Sequence, residues 1–364
     1  MTSDITIIGG GVIGLLTARE FLNAGATVTI LEKNELGQES SWAGGGILLP
    51  LYPWRQPQAI TALVLQSLKI YPELAVQLID ESGVDPEWTP CGLLITKNPD
   101  ITNAEDWCRS NHIAFNPALP EDADALHISP EHPLWLPDIA QVRNPRLIKS
   151  LRQDLNAKGV TLLEHCALTG IAIEHNRVVA LNTNIGRIAV NQLVITAGAW
   201  TGQMFEQYFS AVTTTMPKVA PVKGQMMLFD AMPDTLRYMV LDEDQYLIPR
   251  RDGKILAGST VEVDDYNKTI TPEARDRISR FAVELLPTLK DFPIIRHWAG
   301  LRPGTEHGIP YIAKHPDIMN LSVNAGHFRN GLAMGPASAQ LLVDLVLARP
   351  TAISPDPYQF SRRH

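Results

Sequence analysis

The chain opens with a pattern of apolar and polar positions that predicts a strand, a turn, a helix and a second strand. Residues 5–8 are a short β-branched run, as in a strand buried on both faces. From residue 12 to residue 23 the apolar positions follow helical spacing, and Gly25 is placed to end that helix. Residues 26–31 are again apolar, which completes a βαβ unit.

Helical spacing of apolar positions recurs in four later segments. Pro72 falls inside the first of them, so a kink or a restart is expected there. Residues 38–54 are rich in Gly, Ser and Pro and predict a long loop, whereas residues 98–138 are polar and Pro-rich with little periodicity. The predicted helices cover residues 60–82, 145–158, 272–286 and 331–348.

Short apolar runs bounded by turn residues predict the strands. Those after residue 220 follow one another closely, which indicates a mixed or antiparallel sheet in a second domain. The predicted fold class is therefore α/β, with a Rossmann-like domain followed by a domain built on that second sheet. The predicted strands cover residues 91–97, 160–163, 167–173, 177–181, 186–190, 193–196, 223–229, 239–241, 246–249, 255–259 and 321–324.

The composition is that of a globular chain with a sizeable core. Of the 364 residues, 45% are hydrophobic and 19% are charged. A formal net charge of −8 without a basic stripe argues against nucleic acid as the main partner. The nearest approach to a basic cluster is Arg250, Arg251 and Lys254, which a solvated turn explains at least as well as an anion site. No uninterrupted apolar segment reaches about 20 residues, so no membrane-spanning helix is predicted.

The cysteines and histidines show none of the spacings that bind zinc. Cys91, Cys108 and Cys166 form no C-x-x-C pair, and their low, odd number suits a reducing cytosol, which predicts a cytoplasmic location. The ten histidines contain no H-E-x-x-H, and the chain has no G-x-S-x-G. Metal catalysis and a serine nucleophile are therefore disfavoured, and no metal ligand is predicted.

The glycines between the first strand and the first helix form a nucleotide-binding motif. Gly9, Gly11 and Gly14 have the spacing G-x-G-x-x-G, in which the glycines permit a tight turn, close approach of a diphosphate and tight packing of the helix. Glu32 ends the second strand, where a carboxylate can accept hydrogen bonds from the adenosine ribose. A glycine-rich turn without a ligand is the alternative, and the motif by itself does not separate FAD from NAD.

Two later segments indicate a flavin. Residues 193–200 are an apolar strand that ends in a small-residue turn containing Ala197, Gly198 and Trp200. An ordinary buried strand explains this segment equally well. Residues 325–332 combine glycines with His, Arg and Asn just before the last helix, whose N-terminus could stabilise an anionic reduced flavin.

Three stretches together resemble the glycine oxidases, flavoenzymes of thiamine biosynthesis within the D-amino-acid oxidase family. These are Trp298-Ala-Gly-Leu-Arg-Pro-Gly-Thr305, Gly326-His-Phe-Arg-Asn-Gly331 and Pro221-Val-Lys-Gly-Gln225. The resemblance implies non-covalent FAD, a cytoplasmic homotetramer and a discontinuous FAD-binding domain over residues 1–85, 142–218 and 297–364. Residues 86–141 and 219–296 would then form the substrate-binding domain.

The resemblance also implies where FAD is bound. The contacts fall on the first helix, the second strand, the following glycine-rich loop and the start of the last helix. They are Val12, Ile13, Glu32, Lys33, Ser40, Ser41, Gly45, Gly46, Ile47, Leu168, His327, Phe328, Arg329, Asn330, Gly331, Leu332 and Ala333.

An amino-acid substrate needs a site for its carboxylate. Arg302 is the best candidate, because a guanidinium binds a carboxylate through two parallel hydrogen bonds and Pro303-Gly304 would stiffen its loop. Tyr246 could donate a second bond. An ordinary ion pair for Arg302 and a half-buried sheet tyrosine for Tyr246 are the alternatives. Arg329 either favours the anionic flavin or binds substrate.

The implied reaction is oxidative deamination of glycine, sarcosine or a small D-amino acid by hydride transfer to FAD, with dioxygen as acceptor. An amino- or imino-acid dehydrogenase that uses a quinone, a nicotinamide-dependent dehydrogenase and a silent FAD-binding subunit are the alternatives. Four positions that could shape the pocket depart from the glycine-oxidase pattern: Leu49, Tyr52, Asp244 and Val261.

Overall fold

The computed structural model describes residues 3–121, 123–263 and 266–361, which form an α/β protein. The α-helices are α1 (Val12–Asn23), α2 (Ser40–Ala43), α3 (Gln58–Ser82), α4 (Ile101–Ser110), α5 (Asn144–Ala157), α6 (Thr201–Phe209), α7 (Pro272–Leu285) and α8 (Gly331–Val346). The strands are β1 (Ile5–Ile8), β2 (Val28–Leu31), β3 (Thr89–Pro90), β4 (Leu93–Ile95), β5 (Leu134–Leu136), β6 (Ala140–Gln141), β7 (Thr161–Leu163), β8 (Leu168–Glu174), β9 (Arg177–Thr183), β10 (Gly186–Ala189), β11 (Gln192–Ile195), β12 (Ala220–Phe229), β13 (Met239–Asp242), β14 (Gln245–Pro249), β15 (Ile255–Gly258), β16 (Glu262–Val263), β17 (Ile294–Gly304), β18 (Tyr311–Lys314) and β19 (Leu321–Ala325).

The first sheet is the Rossmann-like part of the molecule. Its strand order is β18-β19-β11-β1-β2-β7, and every pair is parallel except β18 with β19. The central strands are buried on both faces, as their β-branched runs predict. Because β1, β2, β11 and β19 run the same way, the turns after them meet at one edge of the sheet.

The second sheet has the order β16-β12-β15-β14-β13-β4-β5, with β17 paired to β12. All of its pairs are antiparallel except β13 with β4, so it is a mixed sheet. Helix α7 buries Ile278 and Ala282 against one face of this sheet. The predicted fold class is thereby confirmed. Two smaller sheets, β10-β9-β8 and β3-β6, complete the described strands.

Helix α3 is a core helix that contacts α5 and α8. By length and composition alone it could span a membrane, but half of its most apolar stretch is buried within the protein. The helix does not restart at Pro72, because it runs unbroken from residue 58 to residue 82, while a kink there stays a prediction. Pro72 lies on the exposed side, where water can satisfy the carbonyl that the proline leaves without a donor.

Two expectations from the sequence need further correction. Residues 98–138 are not irregular throughout, since they contain helix α4, which buries only Ala104 and Cys108 and therefore carries a weak apolar pattern. Arg302 does not lie in a loop. It lies in the 11-residue strand β17, near the end where Pro303 pairs with Pro221 of β12. Neither proline can donate a backbone hydrogen bond, and both lie next to the last pair of the ladder, Ala220 with Gly304.

Candidate active site

A cavity of about 370 Å³ lies between the edge of the Rossmann-like sheet and one face of the second sheet. Gly9, Glu32 and Ala197 line it from the turns that follow β1, β2 and β11. Tyr246 of β14 and Arg302 of β17 line its other end. The carboxyl edge of a doubly wound sheet is where such folds bind nucleotides, so the predicted nucleotide and substrate groups share one space.

Gly9 and Gly14 must be glycine because the backbone around them is crowded. Gly9 has φ +111°, and a Cβ there would lie 2.5 Å from the carbonyl oxygen of Thr196. A Cβ on Gly14 would lie 2.0 Å from the carbonyl oxygen of Gly9. The Thr196 hydroxyl donates to that same carbonyl at 2.7 Å, which fastens the segment after β11 to the glycine turn. Gly14 therefore shapes the site through packing and does not itself line the cavity.

Gly11 and the start of helix α1 face the cavity. The Ser41 hydroxyl accepts a hydrogen bond from the Val12 N–H at 2.9 Å. Among the described residues no protein group accepts from the N–H of Gly11 or Ile13, both of which line the cavity. Free N–H groups at the positive end of a helix are suited to a diphosphate, and Gly11 has no side chain to obstruct it.

Glu32 lies where the adenosine ribose of a dinucleotide is expected. One carboxylate oxygen accepts from the Gly10 N–H at 2.9 Å, and the other accepts from the Asn34 N–H at 2.9 Å. These bonds fix the carboxylate at the cavity wall. Beyond it, the Lys33 ammonium lies 3.7 Å from the centre of the Trp200 ring, and burial above all lowers the pKa of Lys33.

Arg250 holds the glycine-rich loop after α2 in place through hydrogen bonds. This guanidinium donates to the carbonyls of Gly45 (2.8 Å) and Val142 (3.2 Å) and to the Gln141 side chain (2.5 Å). The interpretation of Arg250 as part of a solvated turn or anion site is therefore wrong, since the residue is buried and its burial lowers the pKa of Arg250 to about 10. Its neighbour Arg251 is exposed and pairs with Asp85.

The start of helix α8 is held by a buried polar network. The His327 ring nitrogen lies 2.7 Å from the Ser338 hydroxyl, which donates to the Asn324 side chain at 2.7 Å. The Asn324 amide in turn donates to the hydroxyl of Thr17 on α1 at 3.3 Å. Burial lowers the pKa of His327 to about 3, so the ring is neutral. This network connects α1, which begins beside the diphosphate position, with α8, whose first residues line the cavity.

Arg302 is a half-buried cation whose nearest partners are carbonyl and hydroxyl oxygens. Its guanidinium donates to the carbonyls of Lys223 (3.3 Å) and Thr260 (3.1 Å) and to the Ser259 hydroxyl (2.9 Å). In the described part of the chain, no carboxylate lies within ion-pair distance of it. Burial above all lowers the pKa of Arg302, while Tyr246 acts in the opposite direction. The Nε–H and the second Nη2–H, which form one edge of the guanidinium, remain for another acceptor.

Tyr246 and Arg329 occupy different environments at this end of the cavity. Tyr246 is 8% exposed, and its hydroxyl lies 4.0 Å from the sulfur of Met226. It is close enough to Arg302 to interact with the guanidinium. Arg329 is exposed, yet it also lines the cavity and adds positive charge near Arg302. The two arginines therefore make this end cationic.

The structure gathers the residues that the sequence singled out around the one cavity, with two exceptions. Gly14 and Ala333 pack behind its wall. Of the four positions that depart from the glycine-oxidase pattern, Leu49 lines the cavity, whereas Tyr52, Asp244 and Val261 do not. The predicted residues that line it are Gly9, Gly11, Val12, Ile13, Glu32, Lys33, Ser40, Ser41, Gly45, Gly46, Ile47, Leu168, Ala197, Gly198, Trp200, Tyr246, Arg302, His327, Phe328, Arg329, Asn330, Gly331 and Leu332.

Several lining residues carried no recognisable signal or were not given a role. Helix α6 was not predicted, and it brings four side chains to the cavity that only its tertiary packing reveals. Gly224 and Gly300 lie inside the quoted motifs, but their role depends on the pairing of β12 with β17. The lining residues missed from these elements are Gln203, Met204, Gln207, Tyr208, Gly224, Met226 and Gly300.

The residues present fit FAD. Gly11 has no side chain in the space for a diphosphate, the N–H groups of Gly11 and Ile13 have no acceptor among the described residues, and Glu32 lines the cavity where a ribose is expected. The cavity continues past α8 to the cationic pocket of Arg302, which is further than a diphosphate and adenosine require. The fold and the cavity therefore define a flavin-dependent oxidoreductase with a cationic pocket beside the cofactor space.

Comparison with known proteins agrees with this class. The FAD dependent oxidoreductase family model matches residues 4–345, and the chain belongs to that family. It is 43% identical to the glycine oxidase of Pseudomonas aeruginosa over 98% of each chain. It is 32% identical to the bifunctional protein ThiO/ThiG of Synechocystis sp., over 99% of this chain and 54% of that protein. The crystal structure of glycine oxidase from Geobacillus kaustophilus superimposes with a TM-score of 0.91 at 26% identity, covering 100% of this chain and 99% of that one. The resemblance to glycine oxidases and the predicted use of FAD are confirmed.

Proposed function

We propose that this protein oxidises glycine, sarcosine or a small D-amino acid at FAD, giving a 2-oxo acid, ammonia or an amine, and hydrogen peroxide. The observation that carries the proposal is Arg302, a half-buried guanidinium that lines the cavity and has no carboxylate within ion-pair distance in the described part of the chain. A charge that is partly withdrawn from water and has no ion-pair partner is unfavourable, and a ligand of opposite charge would relieve this. The carboxylate of an amino acid supplies it.

The residues of the site orient the substrate. The free edge of the Arg302 guanidinium presents two parallel donors, which match the two oxygens of a carboxylate. The Tyr246 hydroxyl can donate a further bond from β14. FAD, when bound, supplies the hydride acceptor and returns the electrons to dioxygen. Fixing the carboxylate limits the directions that the Cα–H bond can take, and this orientation contributes to the rate.

No side-chain base is required in this scheme. His327 is neutral but fully engaged in the network with Ser338, and Tyr246 and Arg302 act as donors. The substrate amine therefore loses its proton before hydride transfer, so the rate should rise as the ammonium deprotonates. The N-terminus of α8 places positive partial charge beside the cavity, where it stabilises negative charge.

The names of the relatives support the choice of substrate. The glycine oxidases of Pseudomonas aeruginosa and Pseudomonas putida are each 43% identical to this chain over 98% of their length. The fused ThiO/ThiG proteins support a role in which the glycine imine is delivered to thiamine thiazole synthesis. A cytoplasmic homotetramer belongs to the same proposal, and sedimentation velocity would measure its size. So does the division into an FAD-binding part (1–85, 142–218, 297–364) and a substrate-binding part (86–141, 219–296).

The test is reduction of the bound flavin by small amines without oxygen. Glycine, sarcosine and D-alanine are added anaerobically to the purified yellow protein, and bleaching of the flavin bands is followed, then peroxide is measured in air. Bleaching with peroxide supports the proposal. Bleaching without peroxide would favour the quinone-linked dehydrogenase, and no bleaching by any of the amines would refute the proposal.

A pair of arginine variants tests the carboxylate site. Arg302→Met removes the guanidinium and should raise KM for glycine by roughly a hundredfold, while FAD stays bound. Arg296→Met is the matched control, because Arg296 lies on the same strand but is exposed and outside the cavity. Equal KM values for the two variants would remove Arg302 from the substrate site.

A further inference from the structure

Two glycines face each other across strands β12 and β17 at the floor of the cavity. Gly224 pairs directly with Gly300, and both line the cavity. Neither has the positive φ that favours glycine, so backbone conformation does not require glycine at either position. What each position lacks is room for a Cβ atom, and the two positions lack it for different reasons.

At Gly224 the obstacle is the Arg302 guanidinium. A Cβ on Gly224 would lie 2.2 Å from Nη1, 2.4 Å from Cζ and 2.4 Å from Nη2 of Arg302. The guanidinium therefore lies flat against this part of β12. Its acceptors surround the same spot, since the Lys223 carbonyl is adjacent in sequence and Thr260 hydrogen-bonds the Gln225 N–H at 2.9 Å. Any side chain at position 224 would lift the guanidinium off these acceptors.

At Gly300 the obstacle is helix α2 of the glycine-rich loop. A Cβ on Gly300 would lie 2.6 Å from the Cβ of Ala43. The same helix is held to β17 by the Trp298 indole, which donates to the Ala43 carbonyl at 3.1 Å. It also carries Ser41, whose hydroxyl accepts from the N-terminus of α1. Gly300 thus lets the cofactor side of the cavity approach the sheet.

We propose that Gly224 and Gly300 are positioning residues with separate targets: Gly224 seats the guanidinium that receives the substrate carboxylate, and Gly300 seats the helix that receives FAD. This inference rests on the proposed function for its substrate half. It follows that one methyl group added on β12 should impair substrate binding, whereas the same methyl group added opposite it on β17 should impair cofactor binding.

The experiment compares Gly224→Ala, Gly300→Ala and the control Gly170→Ala. A Cβ at position 170 would meet its nearest neighbour, the Asn182 side chain, at an ordinary 3.4 Å, and Gly170 of β8 does not line the cavity. For each variant, FAD affinity is measured by quenching of flavin fluorescence. Affinity for acetate, a carboxylate without an amine, is measured from the shift of the flavin bands, and KM for glycine is measured with saturating FAD.

The two glycine variants are expected to lose affinity for different ligands. Gly224→Ala should weaken acetate binding and raise KM for glycine roughly tenfold or more while FAD affinity is unchanged, because a charge-assisted pair is misaligned. Gly300→Ala should weaken FAD affinity, with acetate affinity of the FAD-saturated protein near that of wild type. Gly170→Ala should match wild type in all three measurements. Equal effects of Gly224→Ala and Gly300→Ala on both ligands would overturn the inference.

The variant Arg302→Met shows whether Gly224 acts through the guanidinium. Once Arg302 is removed, Gly224→Ala should cause no further loss of acetate affinity. An additional loss equal to that in the wild-type background would overturn the proposal. If Gly224→Ala alone yields no folded holoprotein, the proposal requires that the double variant fold, because removing the guanidinium removes the clash. A double variant that also fails to fold overturns it.

Failure of the proposed function gives a different result. If the wild-type holoprotein neither binds acetate nor is bleached by glycine, the carboxylate site is wrong and the role of Gly224 falls with it, whereas the role of Gly300 is still decided by FAD affinity. If wild type does both and Gly224→Ala does so equally well, the function stands and only the role of Gly224 is refuted.

Discussion

Replacing Arg250 with methionine should destabilise the folded holoprotein by about 3 kcal/mol. The guanidinium donates to Gly45, Val142 and Gln141, which belong to the glycine-rich loop and to the segment that pairs with it. Methionine fills a similar volume but offers no donor. All three acceptors would then be left unpaired in the interior, in contact with the loop that lines the cavity.

The magnitude follows from two opposing effects. A hydrogen bond from a charged group contributes about 2 kcal/mol, so the three bonds together contribute about 6 kcal/mol. Burial of the cation opposes this, because it lowers the pKa of Arg250 from 12.5 to about 10, equivalent to roughly 3 kcal/mol. Arg250→Met loses the bonds and also relieves the burial of the charge, which leaves a net loss of about 3 kcal/mol.

The assay is urea unfolding of the holoprotein, followed by tryptophan fluorescence and by release of flavin fluorescence. Arg251→Met is the matched control, because this adjacent side chain also makes three bonds, to Asp85, Thr89 and Trp88, but is 45% exposed and makes all of them at the exposed surface. An exposed ion pair contributes less than about 1 kcal/mol, so this variant should unfold close to wild type. Flavin release should occur at lower urea in Arg250→Met than in Arg251→Met.

Equal unfolding free energies for the two variants would refute this account of Arg250. Arg250→Lys refines the test, because an ammonium keeps the charge but cannot reach three acceptors in a planar arrangement. We expect it to fall between wild type and Arg250→Met. A lysine variant less stable than the methionine variant would mean that burial of charge outweighs the hydrogen bonds.

Other substitutions test the cofactor side of the cavity. Gly14→Ala should yield protein without flavin absorbance, because the new Cβ would lie 2.0 Å from the Gly9 carbonyl oxygen and push α1 off β1. Glu32→Ala should weaken FAD affinity in fluorescence titrations more than Glu32→Gln, which keeps an oxygen for the Gly10 N–H. His327→Gln should reduce the loss of stability in acid. The pKa of His327 falls from 6.5 in the unfolded chain to about 3 in the folded protein, so between these pH values only the unfolded chain binds the proton. Urea unfolding of wild type should therefore lose up to about 1.4 kcal/mol per pH unit more than His327→Gln as the pH falls below 6.5.

The nucleotide end of the cavity could be predicted because its determinants are local. The three glycines, the helix after them and Glu32 lie within the first 32 residues, and each constrains a neighbour close in sequence. The clash distances at Gly9 and Gly14 give the physical reason for that pattern. Chemistry that depends on a single βαβ unit is therefore visible without knowledge of the rest of the fold.

At the proposed substrate end of the cavity, the sequence predicted which residues take part but not the secondary structure that holds them. Arg302 was expected in a stiff loop because Pro303 and Gly304 follow it, yet it lies in a strand. That strand exists because β17 pairs with β12, more than 70 residues earlier in the chain. The roles of Gly224 and Gly300 also depend on this register, which no local pattern specifies.

Arg250 shows that part of the missing information was present as strand periodicity. Successive side chains of a strand point to opposite faces, so Tyr246, Ile248 and Arg250 share one face of β14 and its continuation, while Arg251 points the other way. Tyr246, Ile248 and Arg250 all lie next to Gly45. A Cβ on Gly45 would lie 2.8 Å from the Ile248 side chain and 3.3 Å from the Tyr246 ring, and Arg250 donates to the Gly45 carbonyl. One strand face thus positions both the glycine-rich loop and Tyr246 beside the proposed substrate pocket. A shift of β14 by one residue would expose Arg250 and turn Tyr246 away, so the register of this strand would affect both the loop that lines the cofactor space and the proposed substrate site.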